Sequence, residues 1–459
     1  MIKKEIFREY DIRGIVGKDL NPDVAELIGK GYGTYIKRQL KTQNSKLISI
    51  GRDVRVSSDE LFNALVAGIV STGIDIIDIG ICPTPLVYFS LFNLDVDGGI
   101  MITGSHNPPE FNGFKICLGR DTIYGEEIQR LMILIESGVF EKGEGKVKRY
   151  DIISDYKKYI NKRFSTGNNG RRRLKVAVDS GNGTAGLIAP GLFKGFGHEV
   201  IELFSEPDGR FPNHHPDPTI TANLEPLIDK VKKERADVGI AFDGDADRIG
   251  VVDEQGDIIW GDKLMIIFAQ DILFKRPGAT IISEVKASSL LYKEIERLGG
   301  RPIMWKTGHS LIKAKIKETG ALLAGEMSGH IFFADDYFGY DDAIYAACRL
   351  IEIMTKRREK VSAMLSHLPK VCSTPEIRID CPDEIKFTLV ESLKRRLENR
   401  FKVIDIDGVR IEFEDGWGLV RASNTQPVIV MRFEAVSQER LEEIRSLMEE
   451  ELKEAGEGE

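Results

Sequence analysis

Short apolar runs, each ending in a polar loop and followed by a stretch of helical period, recur along this chain. Leu47-Ile48-Ser49-Ile50-Gly51 passes through Arg52-Asp53-Val54-Arg55 into a helical stretch from about Ser58 to Thr72, then into Ile74-Asp75-Ile76-Ile77-Asp78-Ile79. Lys175-Val176-Ala177-Val178-Asp179 passes through Ser180-Gly181-Asn182-Gly183 into a helix and on to His198-Glu199-Val200-Ile201-Glu202-Leu203. Thr280-Ile281-Ile282-Ser283 passes through Glu284-Val285-Lys286 into a helix from about Ser288 to Leu298, then Arg301-Pro302-Ile303-Met304-Trp305. Strand, polar loop, helix, turn, strand is a βαβ unit, which implies parallel strands and right-handed crossovers. Glu141-Lys142-Gly143-Glu144-Gly145-Lys146 marks the first boundary region and Ser366-His367-Leu368-Pro369 the last. Beyond it the pattern changes to Glu376-Ile377-Arg378-Ile379, a helix from about Phe387 to Arg400, and paired strands. The expected class is α/β, with three related mixed α/β domains over residues 1–150, 151–255 and 256–368 and a smaller α+β domain over 369–459.

In such domains ligands gather at the carboxyl ends of the strands, and four loops there carry chemistry. Thr103-Gly104-Ser105-His106-Asn107-Pro108 follows the run Gly99-Ile100-Met101-Ile102 and presents one hydroxyl on a tight turn. Ser105 is a candidate nucleophile that needs a base, a metal or a cation beside it, although the same residue types also make ordinary loops. Asp243-Gly244-Asp245-Ala246-Asp247-Arg248 lies between Val238-Gly239-Ile240-Ala241-Phe242 and Ile249-Gly250-Val251-Val252. Alternating carboxylates can converge on one hard cation, and oxygen-only ligands suit magnesium, manganese or calcium rather than zinc. An EF-hand is the rival, with Asp243, Asp245, Asp247 and Glu254 on its first, third, fifth and twelfth positions, but Arg248 stands where that loop needs glycine and the flanks read as strands.

Gly325-Glu326-Met327-Ser328-Gly329-His330 follows Ala321-Leu322-Leu323-Ala324, and in an extended loop Glu326, Ser328 and His330 would face one way. A carboxylate beside a hydroxyl can hold two neighbouring sugar hydroxyls, and the imidazole can move a proton. Arg421-Ala422-Ser423-Asn424-Thr425-Gln426-Pro427 concentrates a guanidinium with hydroxyl and amide donors, which reads either as a phosphate cradle or as a surface ion pair.

Composition narrows the classes. The 459 residues carry a formal net charge of −8 with 30% charged residues of both signs, which is no footprint for nucleic acid and opposes an anionic membrane. The five cysteines, at 82, 117, 348, 372 and 381, form no C-x-x-C pair, so reduced thiols and a cytoplasmic location are expected. No signal peptide is expected from the opening Met1-Ile2-Lys3-Lys4-Glu5, and no apolar run is long enough to span a membrane. His214-His215 sits in a proline-locked loop where interdomain hydrogen bonding is expected rather than a metal, and Gly181-Asn182-Gly183 reads as a packing loop because it lacks nucleotide-fingerprint spacing.

The four loops, in this order and spacing, resemble the alpha-D-phosphohexomutase family, and within it the phosphomannomutase/phosphoglucomutase branch. The resemblance runs from Phe7-Arg8-Glu9-Tyr10-Asp11-Ile12-Arg13-Gly14 to the Arg421 loop. It implies four domains around a central cleft and reversible phosphoryl transfer between O1 and O6 of a mannose or glucose phosphate. A phosphoserine at Ser105 and a hexose 1,6-bisphosphate intermediate would carry the phosphoryl group. It implies Mg2+ held by Asp243, Asp245, Asp247 and that phosphoserine. Glu326 and Ser328 would grip sugar hydroxyls, and Arg421, Ser423, Asn424 and Thr425 the phosphate that is not reacting. Lys286 and His309 match further binding positions. Lys115, in Asn112-Gly113-Phe114-Lys115, matches an acid/base, with His330 as the rival.

A lysine can act as a base only if its pKa is lowered, for which Arg13, Arg248 and the metal are expected sources. The phosphoglucosamine branch is the alternative enzyme, but Met327 and Asn424 stand where it usually has Gln and Gly. A catalytically idle sugar-phosphate or calcium-binding protein is the alternative outside enzymes. The partners expected are small sugar phosphates, with oligomeric state open.

Overall fold

A computed structural model describes residues 2–40, 46–164 and 172–457. The chain divides into two compact units, one of Met1–Leu264 with Ser328–Met364 and one of Met265–Met327 with Leu365–Glu459.

Two sheets lie in the first unit. In the first sheet the strands run in the order Ile12–Ile15, Phe111–Leu118, Gly98–Ile102, Leu47–Arg52, Asp75–Ile81 and Val147–Arg149. Leu47–Arg52 is parallel to both its neighbours, while Phe111–Leu118 is antiparallel to both of its own. The helices Pro22–Gln39 and Ser58–Val70 pack closely, because a Cβ on Gly29 would stand 2.3 Å from Leu65 O and one on Gly68 2.1 Å from Glu26 O. In the second sheet Ile258–Ile259, Ile249–Asp253, Val238–Phe242, Lys175–Asp179 and Glu199–Leu203 lie side by side.

The second unit has three parallel strands, Arg301–Trp305, Thr280–Glu284 and Leu323–Gly325, and an antiparallel sheet in which Val428–Ala435 pairs with Gly416–Ala422 and Ile377–Asp380. The helices Asp383–Leu397 and Gln438–Glu457 contribute Leu393, Leu397, Ile444 and Met448 to the core over that sheet.

All three expected βαβ units form. The crossover of the second is a short 3-10 turn, Thr184–Leu187, and then Ala189–Gly195, since glycine and proline interrupt the helical run. The last-domain helix begins at Asp383 rather than near Phe387, because Pro382 caps it and Asp383 and Glu384 occupy its first turn. His214 hydrogen-bonds within its own region, Nε2 to Asp179 Oδ2 at 3.0 Å, whereas His215 bonds the backbone of His106. The interdomain expectation thus holds for His215 and fails for His214, whose ring is captured by the carboxylate ending the strand Lys175–Asp179. All five cysteines are free thiols. Among the described residues no helix is long and apolar enough to cross a membrane.

One buried carboxyl in the first unit makes a stability prediction. Asp342 caps the helix Ala343–Arg357 by accepting from Tyr345 N at 2.9 Å, and it accepts from the hydroxyls of Tyr156 and Tyr337 at 2.9 and 2.8 Å. Burial outweighs these bonds and pushes its pKa up to about 6 from 3.8. With the folded value raised, the protonated carboxyl is the form the fold favours, so its contribution is complete below 3.8 and is lost as pH rises through about 6. Asparagine caps helices equally well and carries no charge. Relative to Asp342→Asn, the wild type is therefore expected to lose roughly 1–1.5 kcal/mol between pH 5 and pH 7.5. Denaturant unfolding of both proteins at the two pH values checks it; parallel behaviour would refute it.

Candidate active site

The wholly buried strand Gly98–Ile102 delivers the chain into the loop that carries Ser105. Ser105 adopts φ +49°, a left-handed conformation that costs a non-glycine residue about 1 kcal/mol and is held only by its surroundings. Thr103 Oγ1 accepts from Ser105 N at 2.8 Å, and Asp53 Oδ2 accepts from Thr103 Oγ1 at 2.9 Å and from Gly104 N at 3.1 Å. So held, Ser105 Oγ donates to Asp243 Oδ2 at 2.9 Å and lies 3.1 Å from His106 Nδ1.

Asp243, Asp245 and Asp247 are fully buried between the strands Val238–Phe242 and Ile249–Asp253, with one carboxylate oxygen of each within 4.8 Å of the others. Asp243 Oδ1 accepts from Asp247 N and Arg248 N, each at 3.1 Å, and this curls the loop around its carboxylates. Burial, followed by the charges of Asp245 and Asp247, drives the Asp243 carboxyl well above the usual range. Asp245 Oδ1 and Asp247 Oδ1 are buried and accept no hydrogen bond. Orphaned buried carboxylate oxygens, converging with a serine hydroxyl, fit a hard divalent cation.

Lys115 reaches the same carboxylates from Phe111–Leu118, with Nζ 2.8 Å from Asp245 Oδ2 and 2.5 Å from Asp247 Oδ2. Burial alone would lower its pKa, but Asp245 and Asp247 reverse this and raise it above the ordinary lysine range. Arg13 and Arg248 therefore do not lower it, since the carboxylates of Asp245 and Asp247 lie in direct contact with the ammonium. Thr84 Oγ1 adds a hydrogen bond of 2.5 Å to Asp245 Oδ2, and burial notwithstanding, Lys115 and these bonds hold Asp245 below its usual value.

Arg248 donates from Nε to His330 Nε2 at 3.0 Å, while His330 Nδ1 lies 3.0 Å from Asp341 Oδ2. A donor at Nε2 and a carboxylate beside Nδ1 assign the ring proton to Nδ1. Arg13 pairs with Asp11. Burial and the cations Arg248 and Arg13 hold the neighbouring His106 imidazole well below its ordinary pKa.

The second unit collects a different set. Glu284, at the end of Thr280–Glu284, accepts from Met327 N at 2.9 Å and from Thr307 Oγ1 at 2.6 Å. Lys286 is buried with Nζ 2.5 Å from Glu376 and 3.4 Å from Glu284, whose charges outweigh burial and raise its pKa. Glu326 Oε1 accepts from Gly308 N at 2.6 Å, beside His309 at the start of the helix His309–Thr319. Arg421 pairs with Asp407 at 3.0 Å, and Thr307 N donates to the same carboxylate at 3.0 Å. Ser423 Oγ accepts from Thr425 N and Gln426 N at 3.3 and 3.2 Å, which shapes the turn that presents Asn424 and Thr425.

Thus Ser105, Lys115, Arg13, Arg248, His330 and the aspartates occur in the first unit, and Lys286, His309, Glu326, Arg421, Ser423, Asn424 and Thr425 in the second. Glu326, Ser328 and His330 do not form one extended face. Met327 and Ser328 lie in a turn and Gly329 has φ +92°, so the alternation is broken, and the division between the units falls between Met327 and Ser328. Arg421 is buried in its ion pair, which removes the surface alternative. Sequence reading missed Thr84, Asp341, Glu284, Asp407 and Glu376 as partners of these residues. Only Glu284 carried a signal, its position at the carboxyl end of a predicted strand.

Four family models match consecutive parts of the chain, all described as phosphoglucomutase/phosphomannomutase. Alpha/beta/alpha domain I matches residues 4–140, domain II 154–256, domain III 260–372 and the C-terminal domain 376–451. A phosphomannomutase/phosphoglucomutase of Pseudomonas aeruginosa is 47% identical over 449 residues, covering 98% of this chain and 95% of the relative. A phosphoglucomutase of Neisseria gonorrhoeae is 45% identical over 450 residues, covering 97% and 96%. The crystal structure of a phosphoglucomutase/phosphomannomutase family protein from Burkholderia thailandensis superposes with a TM-score of 0.92 at 44% identity, covering 99% of this chain and 98% of that one.

Proposed function

The chain belongs to the phosphoglucomutase/phosphomannomutase family and is a hexose phosphate mutase, and on that premise we propose a phosphoserine route through a hexose 1,6-bisphosphate. The observation that carries this reading is the convergence of Ser105 Oγ on Asp243 at 2.9 Å within a buried cluster of three aspartates. A hydroxyl so placed accepts and returns a phosphoryl group when the charge on the transferring oxygens is neutralised.

In the proposed reaction, phosphoserine 105 donates its phosphoryl group to O6 of a hexose 1-phosphate. The Ser105 Oγ–P bond breaks, the O6–P bond forms and the O6 proton passes to a base. The resulting bisphosphate turns end for end, and Ser105 recovers a phosphoryl group from O1 to leave the 6-phosphate. Mg2+, held by Asp243, Asp245, Asp247 and the phosphoserine, would supply charge neutralisation at the transferring group. Arg248 and Arg13 add fixed positive charge. Because Asp245 and Asp247 keep Lys115 protonated, we assign it electrostatic stabilisation and proton donation, and assign proton acceptance to His330. Arg421, Ser423, Asn424 and Thr425 hold the phosphate that is not reacting, while Lys286, His309, Glu326 and Ser328 bind the sugar. These roles fall on four domains, near residues 1–150, 151–255, 256–368 and 369–459, and the free thiols fit a cytoplasmic enzyme.

A coupled assay tests the reading with glucose 1-phosphate and mannose 1-phosphate, Mg2+ and a trace of glucose 1,6-bisphosphate. Turnover of either sugar that needs both additions is expected, and the ratio of rates gives the preference. Full activity without bisphosphate on dephosphorylated enzyme would overturn the route, and turnover of glucosamine phosphate alone would move the chain to that branch.

A further inference from the structure

We propose that Arg55 is a positioning residue for phosphoryl transfer, holding the Ser105 loop in the conformation that aims the hydroxyl at Asp243. The Arg55 side chain has no exposure to solvent. A guanidinium carries five N–H donors in a rigid plane, and here each has an acceptor. Nε donates to Asp53 Oδ2 at 3.2 Å; Nη1 donates to Pro108 O at 2.6 Å and Phe111 O at 2.9 Å; Nη2 donates to Ser105 O at 2.9 Å and Asn107 O at 2.5 Å. Four of the five acceptors are therefore carbonyls of the loop between Ser105 and Phe111.

The contact is also steric. A Cβ on Gly104 would stand 2.4 Å from both Arg55 Cζ and Nε, so the loop backbone lies directly against the guanidinium. The Phe211 ring, with its centroid 5.1 Å from Cζ, packs on the group as well. Asp53 completes the clamp by accepting from Gly104 N and Thr103 Oγ1, and Thr103 Oγ1 accepts from Ser105 N. Ser105 is thus held at its N–H by Thr103 and at its carbonyl by Arg55. That pair of bonds offsets the strain of φ +49° at a residue with a Cβ. Lysine offers a point charge with three donors and cannot serve carbonyls spread over this loop.

The inference rests on Ser105 as the phosphoryl carrier, so Ser105→Ala is measured beside it. Arg55→Lys and Gly104→Ala are assayed for kcat and KM with glucose 1-phosphate, for phosphoryl incorporation from labelled glucose 1,6-bisphosphate, and for folded fraction by circular dichroism. A displaced nucleophile costs on the order of 100-fold in rate. The expected result is a kcat loss of that size for both variants, normalised to folded protein, with KM changed by less than about threefold and slowed incorporation of label. Methylguanidine is expected to restore part of the kcat of Arg55→Ala. Folded Arg55→Lys with kcat within about threefold of wild type, or losses that only follow the folded fraction, would overturn the proposal. Should Arg55→Lys prove insoluble, Gly104→Ala decides by the same criterion. Activity retained in Ser105→Ala would instead sink the carrier reading and leave the clamp as a structural contact.

Discussion

Ser105→Ala is expected to lose turnover by about 10,000-fold or more, because removing a covalent carrier removes the route rather than one interaction on it. The hydroxyl makes its bond to Asp243 from a buried position, and Asp243 shares its cluster with Asp245 and Asp247. Alanine keeps the backbone strain at φ +49° while deleting the nucleophile, so the variant should remain folded. Substrate binding should persist, since Arg421, Lys286 and Glu326 are untouched, and incubation with labelled glucose 1,6-bisphosphate should leave no label on the protein. Ser105→Gly sharpens the comparison. It should be equally inactive yet more stable by about 1 kcal/mol, because glycine adopts the left-handed conformation without the steric cost. Equal stability of the glycine and alanine variants would show that the surroundings, not φ, determine that cost. Label retained by Ser105→Ala would place the carrier elsewhere.

The second large effect is expected at Lys115. Its ammonium bridges two fully buried carboxylates, Asp245 and Asp247, and removing one member of a buried ion pair costs about 3–5 kcal/mol because the other is left uncompensated. Lys115→Met preserves the stem's volume, so the loss should be electrostatic. Turnover should fall by about 100-fold or more, the scale for deleting one preorganised charge at a transferring group. Stability should also become more dependent on Mg2+ than in the wild type, since the cation would then be the main balance to the aspartates. Thermal unfolding of both proteins in EDTA and in Mg2+ reads this as a difference of differences.

The pH dependence has a definite sign. With its folded pKa depressed, Asp245 contributes stability above its unfolded value of 3.8, and this is lost as pH falls below that value. Lys115→Met should therefore lose less stability on acidification than the wild type, and an identical acid profile would remove Lys115 as the cause.

Local and periodic features were legible in the residues alone. Alternating apolar runs, polar loops and helical stretches set the three βαβ units, because each depends on neighbours within about thirty residues and on period alone. The same logic put Ser105, Asp243, Asp245 and Asp247 on loops at strand ends, and their residue types named the chemistry. The tertiary structure decided which side chains meet. Lys115 stands 130 positions from Asp245, and the Ser105 hydroxyl 138 from Asp243, so no window of sequence shows their contact. That contact outweighs the lowering expected from Arg13 and Arg248, because a pKa follows the nearest charges in space. The same holds for His330, whose tautomer depends on Arg248 and Asp341, and for Arg421, whose burial depends on Asp407. Gly325–His330 failed as an extended face for a nearer reason: Gly329 takes a left-handed φ, which alternation cannot reveal. Arg55 shows the limit most plainly, since its four loop carbonyls are backbone atoms, and backbone acceptors leave no mark on residue identity.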